Sequence, residues 1–210
     1  MKITEIKKYP LSHDGRISLY IEVCTDNGLK GLGEVGVPNM GKTVISAIEH
    51  LEKRLIGEDP WESEKLWQIM FRGNFFPPGV IYSSAIAAID IALWDLNGKI
   101  QKKSISEILG RKKDQLIPYA SYVILSEPEE RAELSKLMLD EGWKAIKVRL
   151  HHDDENLDIQ TIEKIQDVTD GKLDILVDAN QAQSSYPWQA GIIWDQDRAK
   201  RTVSYTHLRA

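Results

Sequence analysis

Lys144-Ala-Ile-Lys-Val-Arg-Leu150 and Leu173-Asp-Ile-Leu-Val-Asp-Ala179 decide the architecture of this chain. Both stretches are short and β-branched or aliphatic, and both carry charge near their ends, so both predict strands. Residues 156–168 between them predict a helix. Upstream, residues 119–125 predict a strand and residues 127–140 an amphipathic helix. A strand–helix–strand–helix–strand order implies parallel strands joined by right-handed crossovers. The strands start roughly 25–30 residues apart, as in a (β/α)8 barrel, where about 250 residues make eight units. The residues after Pro118 leave room for about three such units.

The N-terminal part follows another pattern. Residues 1–36 predict strands, with Asn27-Gly28 as a hairpin turn, because both positions tolerate positive φ. Cys24 then falls mid-strand as a small buried thiol. From Gly41 the period becomes helical, with Val44, Ile45, Ile48, Leu51 and Leu55 on one face. Residues 61–70 predict a second helix, and 71–79 an aromatic loop. Residues 85–97 predict a helix capped by Ser83 or Ser84 and stopped by Gly98. That helix is apolar nearly all round and should be buried, Trp94 included. Residues 105–109 form a last short helix. The expected organisation is an α+β domain over 1–117, a partial barrel over 118–200, and a tail over 201–210. The tail lacks helical preference and amphipathic period, and is expected to be non-native.

Composition narrows the function. The chain has 210 residues, 42% apolar and 28% charged, with a net charge of −5. That balance gives no footprint for a nucleic-acid backbone and no anionic-membrane patch. One cysteine excludes an internal disulfide and a four-cysteine zinc site. The N-terminus shows no secretory apolar region, and the apolar run 85–94 is too short to span a bilayer. A cytoplasmic protein acting on small molecules is expected.

Three motifs invite over-reading. Gly31-Leu-Gly-Glu-Val-Gly36 matches a dinucleotide fingerprint, but it lies in a hairpin strand with no helix immediately after it. His151-His-Asp-Asp-Glu155 gathers metal-ligand types, yet adjacent loop residues rarely converge on one ion, and the acids suit a helix N-terminus. One of the two histidines remains positioned to face a pocket. Lys99, Lys102, Lys103, Arg111, Lys112 and Lys113 read as a solvated face.

The chemistry is concentrated on two strand ends. Alternation puts Lys147 with Arg149, and Asp178 with Asn180, on one face each. At the C-terminal mouth of a barrel a carboxylate can hold a divalent cation, and fixed cations suit an anionic substrate. Spacing alone leaves an internal ion-pair network as an equal alternative.

Ala85-Ile-Ala-Ala-Ile-Asp-Ile-Ala-Leu-Trp-Asp-Leu-Asn-Gly-Lys99, followed by Ser104-Ile-Ser-Glu-Ile-Leu-Gly110, resembles the signature of the mandelate racemase/muconate lactonising group of the enolase superfamily. Gly31-Leu-Gly-Glu34, Lys147-Val-Arg149, Val177-Asp178-Ala-Asn180 and residues 189–199 resemble further family segments, the last of them in acid-sugar dehydratases. The resemblance spans about residues 1–200 and about half the family's usual length. It implies an α+β capping domain followed by the first part of a (β/α)8 barrel. It also implies Mg²⁺, which lowers the cost of a second negative charge when the proton α to a carboxylate is removed. Asp178 would be a metal ligand, Lys147 would contact the substrate carboxylate, and Arg149 would stand where the family often has a lysine. Asn180, Arg16 and Arg72 would meet an acid sugar, and Phe75 or Phe76 would exclude water. Asp90 and Asp95 would pair structurally. An arginine is a poor base, so dehydration is favoured over racemisation, epimerisation or cycloisomerisation. A non-catalytic binding module is the reading from another class. The second and third carboxylates and the general base would lie beyond this chain. A full-length, homo-oligomeric lyase and an inactive 210-residue chain are therefore expected.

Overall fold

The computed structural model describes residues 1–13, 16–37, 39–73, 77–179 and 191–206. The chain divides into two compact units, residues 1–112 and 113–210.

The first unit sets three antiparallel strands against three helices. The strands β1 (Ile3–His13), β2 (Arg16–Thr25) and β3 (Lys30–Glu34) lie in that spatial order. Alternation turns Leu19, Ile21 and Val23 of β2 inward, and a register shift between Ile3 and Glu5 lets both Ile3 and Ile6 of β1 join them in the core. The expected hairpin joins β2 to β3, and of its two central residues Gly28 is the one with positive φ, at 85°. Thr25 accepts from the Gly28 N–H and donates its own N–H to Leu29 O. The hairpin is thus a wider turn with glycine at its left-handed position, and Asn27 contributes its side chain instead, accepting from Leu29 N and Thr25 Oγ1.

Helices α1 (Gly41–Leu55) and α2 (Ser63–Arg72) bury Val44, Ile48, Leu51, Leu55, Leu66 and Met70. Helix α3 (Val80–Gln101) is longer than its apolar signature predicts. Gly79 occupies its N-cap, so Ser83 and Ser84 are interior residues, not caps. Nor does Gly98 end it. Lys102 does so in the left-handed conformation, with φ 53°. Gly98 has a different job, because a Cβ there would lie 3.0 Å from Lys103 O where the chain folds back. At 22 residues α3 is long and apolar enough to cross a membrane by length and composition, but Ala85, Ala88, Ile89, Ala92, Leu93 and Leu96 are buried in the core of this unit. Trp94 is only half-buried, contrary to expectation. It lines a surface cavity of about 350 Å³ with Ile91, Ile105 and Leu109. Helix α4 (Ile105–Ile108) starts in a capping box, with Ser104 and Glu107 bonding each other's backbone N–H.

The glycine-rich strand owes its composition to α3. A Cβ on Gly31 would stand 2.0 Å from Ala92 O, and one on Gly33 2.0 Å from Ala88 O. The Gly31–Gly33 spacing is therefore the every-second-residue period of a strand pressed onto a helix, and Gly36 lies past the end of that strand.

The second unit contains a parallel sheet in the order β4 (Ala120–Ser121), β5 (Ala145–Arg149), β6 (Asp174–Asp178). Helices α5 (Pro128–Asp140) and α6 (Glu155–Thr169) occupy the predicted connections. Ile146, Val148, Leu150, Ile162, Ile165 and Leu173 form the core. Strand β4 is much shorter than the predicted 119–125. Arg131 donates to Ile124 O at 2.7 Å, so that carbonyl is spent on α5 and not on a strand ladder. Helix α7 (Gln196–Thr206) runs on through residues expected to break it. Tertiary contacts override weak propensity there. Thr202 is buried, Arg201 forms a two-pronged pair with Glu155, and Gln166 Nε2 donates to Tyr205 O.

Candidate functional site

The C-terminal ends of β5 and β6 bring the predicted charges together. Parallel register sets Arg149 beside Asp178 and Lys147 beside Leu176, so the three charged residues share one side of the sheet. Lys147 Nζ lies 2.8 Å from Asp178 Oδ2, with about a third of each side chain exposed (32% and 28%). The hydrogen bond to Asp178 holds the Lys147 ammonium above its ordinary pKa. The strand ladder continues one step further, with Leu150 N donating to Asp178 O at 3.1 Å.

The residues just past β5 divide between the two sides. His152 is buried and its Nδ1 lies 2.7 Å from Asp158 Oδ1. Asp158 is fully buried and accepts from Arg198 at 2.7 Å, while the same guanidinium nitrogen donates to His152 O. This triad ties α7 to the β5–α6 connection and has no signal in the sequence, because its members are 40 and 46 residues apart from Arg198. His151 is half-buried. Its Nδ1 has no solvent access and no hydrogen-bond partner among the described residues, and burial pushes its pKa below the ordinary histidine value. Asp154 caps α6 through Asn156 N, as the charge of that segment predicts.

The other predicted residues fall elsewhere. Arg72 ends α2 in the first unit, exposed beside a cleft it lines with Arg54 and Lys65. Arg16 begins β2, paired with His13, and its side chain is outside the described residues. Asn180, Phe75 and Phe76 lie outside them altogether. Asp95 pairs structurally, accepting from Leu32 N at 2.8 Å and Lys99 Nζ at 2.7 Å. Asp90 is raised above the ordinary carboxylate value, first by burial and then by Glu64.

A magnesium ion needs near-octahedral oxygen ligation. Among the described residues no three His, Cys, Asp or Glu side chains gather where they could hold a metal ion. Asp178 is moreover engaged by an ammonium. The described residues do not by themselves fit a magnesium site.

Comparison with known proteins now places the chain in a class. Residues 13–110 match the mandelate racemase / muconate lactonizing enzyme N-terminal domain, so this stretch of the chain is similar to the N-terminal domain of that family. Among its relatives is a D-galactonate dehydratase of Cronobacter sakazakii, 34% identical over 148 residues, which are 70% of this chain and 38% of that protein. Similar solved structures include the 3,6-anhydro-D-galactonate cycloisomerase of Zobellia galactanivorans (30% identical, TM-score 0.77, 88% of this chain and 52% of the other). A dehydratase-like protein of Salmonella enterica superposes with TM-score 0.82 at 27% identity, over 98% of this chain and 59% of the other. The chain thus spans well under two thirds of the length of these relatives.

Proposed function

We propose that this chain is the capping domain and the first three βα units of a (β/α)8 barrel belonging to a sugar-acid dehydratase, a carbon–oxygen lyase. The observation that carries this reading is the meeting of Lys147, Arg149 and Asp178 on one side of parallel strand ends. The similarity to D-galactonate dehydratases supports the substrate class. Lys147 and Arg149 supply fixed positive charge for a substrate carboxylate. A guanidinium is a poor general base, so Arg149 disfavours racemisation from this strand. Asn180, Arg16 and Arg72 are assigned to the substrate hydroxyls.

The complete protein is read as Mg²⁺-dependent, cytoplasmic and homo-oligomeric, with no nucleic-acid or membrane partner. Asp178 would give the metal one ligand, and the rest must come from residues outside those described. The 210-residue chain is accordingly expected to be inactive. The similarity to a cycloisomerase keeps that reaction as the second reading.

The test is incubation of the complete protein with a panel of acid sugars and Mg²⁺ in D₂O. Formation of a 2-keto-3-deoxy acid supports dehydration. A cyclised isomer supports the second reading. No turnover and no α-deuteration sinks both, and turnover by the 210-residue chain alone refutes the need for a longer protein.

A further inference from the structure

From residue 146 onward the chain sorts its side chains by parity. Ile146, Val148 and Leu150 are fully buried in the core with Ile162 and Ile165 of α6. His152 continues this even series, closed into its contacts with Asp158 and Arg198. Lys147 and Arg149 form the odd series of the strand, on the side where Asp178 lies, and His151, next in that series just past the strand end, feels the charges of both Arg149 and Asp178. The two adjacent histidines therefore have opposite fates. His152 is a structural anchor. His151 continues the row of charges, with a buried Nδ1 that has no hydrogen-bond partner among the described residues.

The three odd-row side chains differ in what they can do with a proton. Lys147 donates to Asp178 and is pushed up. The guanidinium that Arg149 carries is a poor general base. His151 is pushed down by burial; Arg149 and His152 act in the same direction, and Asp158 and Asp178 oppose them. Of the three, His151 alone is neutral near pH 7 and able to take and return a proton there.

We propose that His151 is the proton-transfer residue of this face, acting on a carboxylate substrate held by Lys147 and Arg149. The proposal rests on the dehydratase reading above. The neutral imidazole takes the proton from C2, α to the carboxylate. The C2–H bond breaks and its electron pair passes into the carboxylate as an enediolate. When that pair returns to form the C2–C3 double bond, the C3–O bond breaks. The imidazolium proton goes to the departing oxygen and leaves as water. The enol tautomerises to the 2-keto-3-deoxy acid, and the imidazole is neutral again. No co-reactant is consumed.

The complete protein carries the test, with His151→Asn and His151→Gln assayed on D-galactonate and checked for folding by circular dichroism. Both variants should lose about 100-fold or more in kcat and keep KM within about threefold. The acidic limb of the kcat–pH profile and the C2 hydrogen–deuterium exchange should be lost with it. Retention of kcat within about threefold, with the acidic limb intact, overturns the role of His151 alone. A wild-type protein that neither dehydrates nor exchanges overturns the dehydratase reading and this proposal together. If both variants misfold, NMR titration of wild-type His151 decides. A pKa below the ordinary histidine value, with a Cε1–H resonance displaced by D-galactonate, supports the proposal. An ordinary value and an unmoved resonance overturn it.

Discussion

Gly33→Ala tests the account of the glycine-rich strand most directly. The added Cβ would sit 2.0 Å from Ala88 O and 3.0 Å from Ala88 C. A carbon–oxygen contact closes to about 3.3 Å at best, so strand and helix must part by roughly 1.3 Å. Neither side can yield by rotating a side chain, because both atoms on the helix belong to the backbone. Overpacking costs about 1–3 kcal/mol, and this rigid case belongs at the upper end, about 3 kcal/mol. With a urea m-value of about 2 kcal/mol/M, the midpoint should fall by about 1.5 M. Far-UV circular dichroism across a urea series measures it. Two companions isolate the cause. Gly36→Ala meets nothing within 4 Å and should stay within about 0.5 kcal/mol of wild type. Ala88→Gly added to Gly33→Ala should give no rescue, since the obstructing oxygen remains. A Gly33→Ala midpoint indistinguishable from wild type, or full rescue by Ala88→Gly, refutes the backbone-contact explanation.

Two further outcomes follow from the charge clusters. Asp158→Asn leaves the buried Arg198 guanidinium without its counter-charge, and should destabilise the second unit by about 3–5 kcal/mol; unchanged urea unfolding would show that the triad does not hold α7. Asp178→Asn should return the Lys147 ammonium towards its ordinary value, which NMR of the Lys147 side chain measures. The sign is that of a group raised on folding. The Lys147 contribution is complete below the unfolded lysine pKa of 10.5 and is lost as pH climbs through the raised folded value. An Asp178→Asn protein whose Lys147 titrates as in wild type refutes the pairing.

The elements legible in the sequence are those whose pattern is local. Helix α1 follows from one apolar stripe, and its buried residues are Val44, Ile48, Leu51 and Leu55. Strands β5 and β6 and their parallel pairing follow from the repeat of apolar runs and helices. What failed depended on distant contacts. The end of α3 is set by the return of the chain at Lys103, which Gly98 permits but does not announce. The length of β4 is set by Arg131, and the persistence of α7 by Glu155, Asp158 and Gln166. For the site, strand alternation was enough to bring Lys147, Arg149 and Asp178 together. It was not carried on to His151 and His152, although the same parity separates them.

That parity bears on whether the odd-row charges are structural or functional. On the even side, charge is spent on architecture: Asp158 is wholly buried, both its oxygens are engaged, and removing it strands a guanidinium. On the odd side, the Lys147–Asp178 pair is about a third open to solvent. Water screens a pair at that depth, so it contributes little to stability. Packing gives no reason for two cations, an imidazole and a carboxylate to face the same way at the ends of strands whose intervening residues are aliphatic. A hydrophobic residue at each position would serve a purely structural sheet at least as well. The arrangement becomes intelligible when an anion is added. The ammonium, already paired with Asp178, and the guanidinium then share an anionic ligand, and the imidazole gains a proton to move.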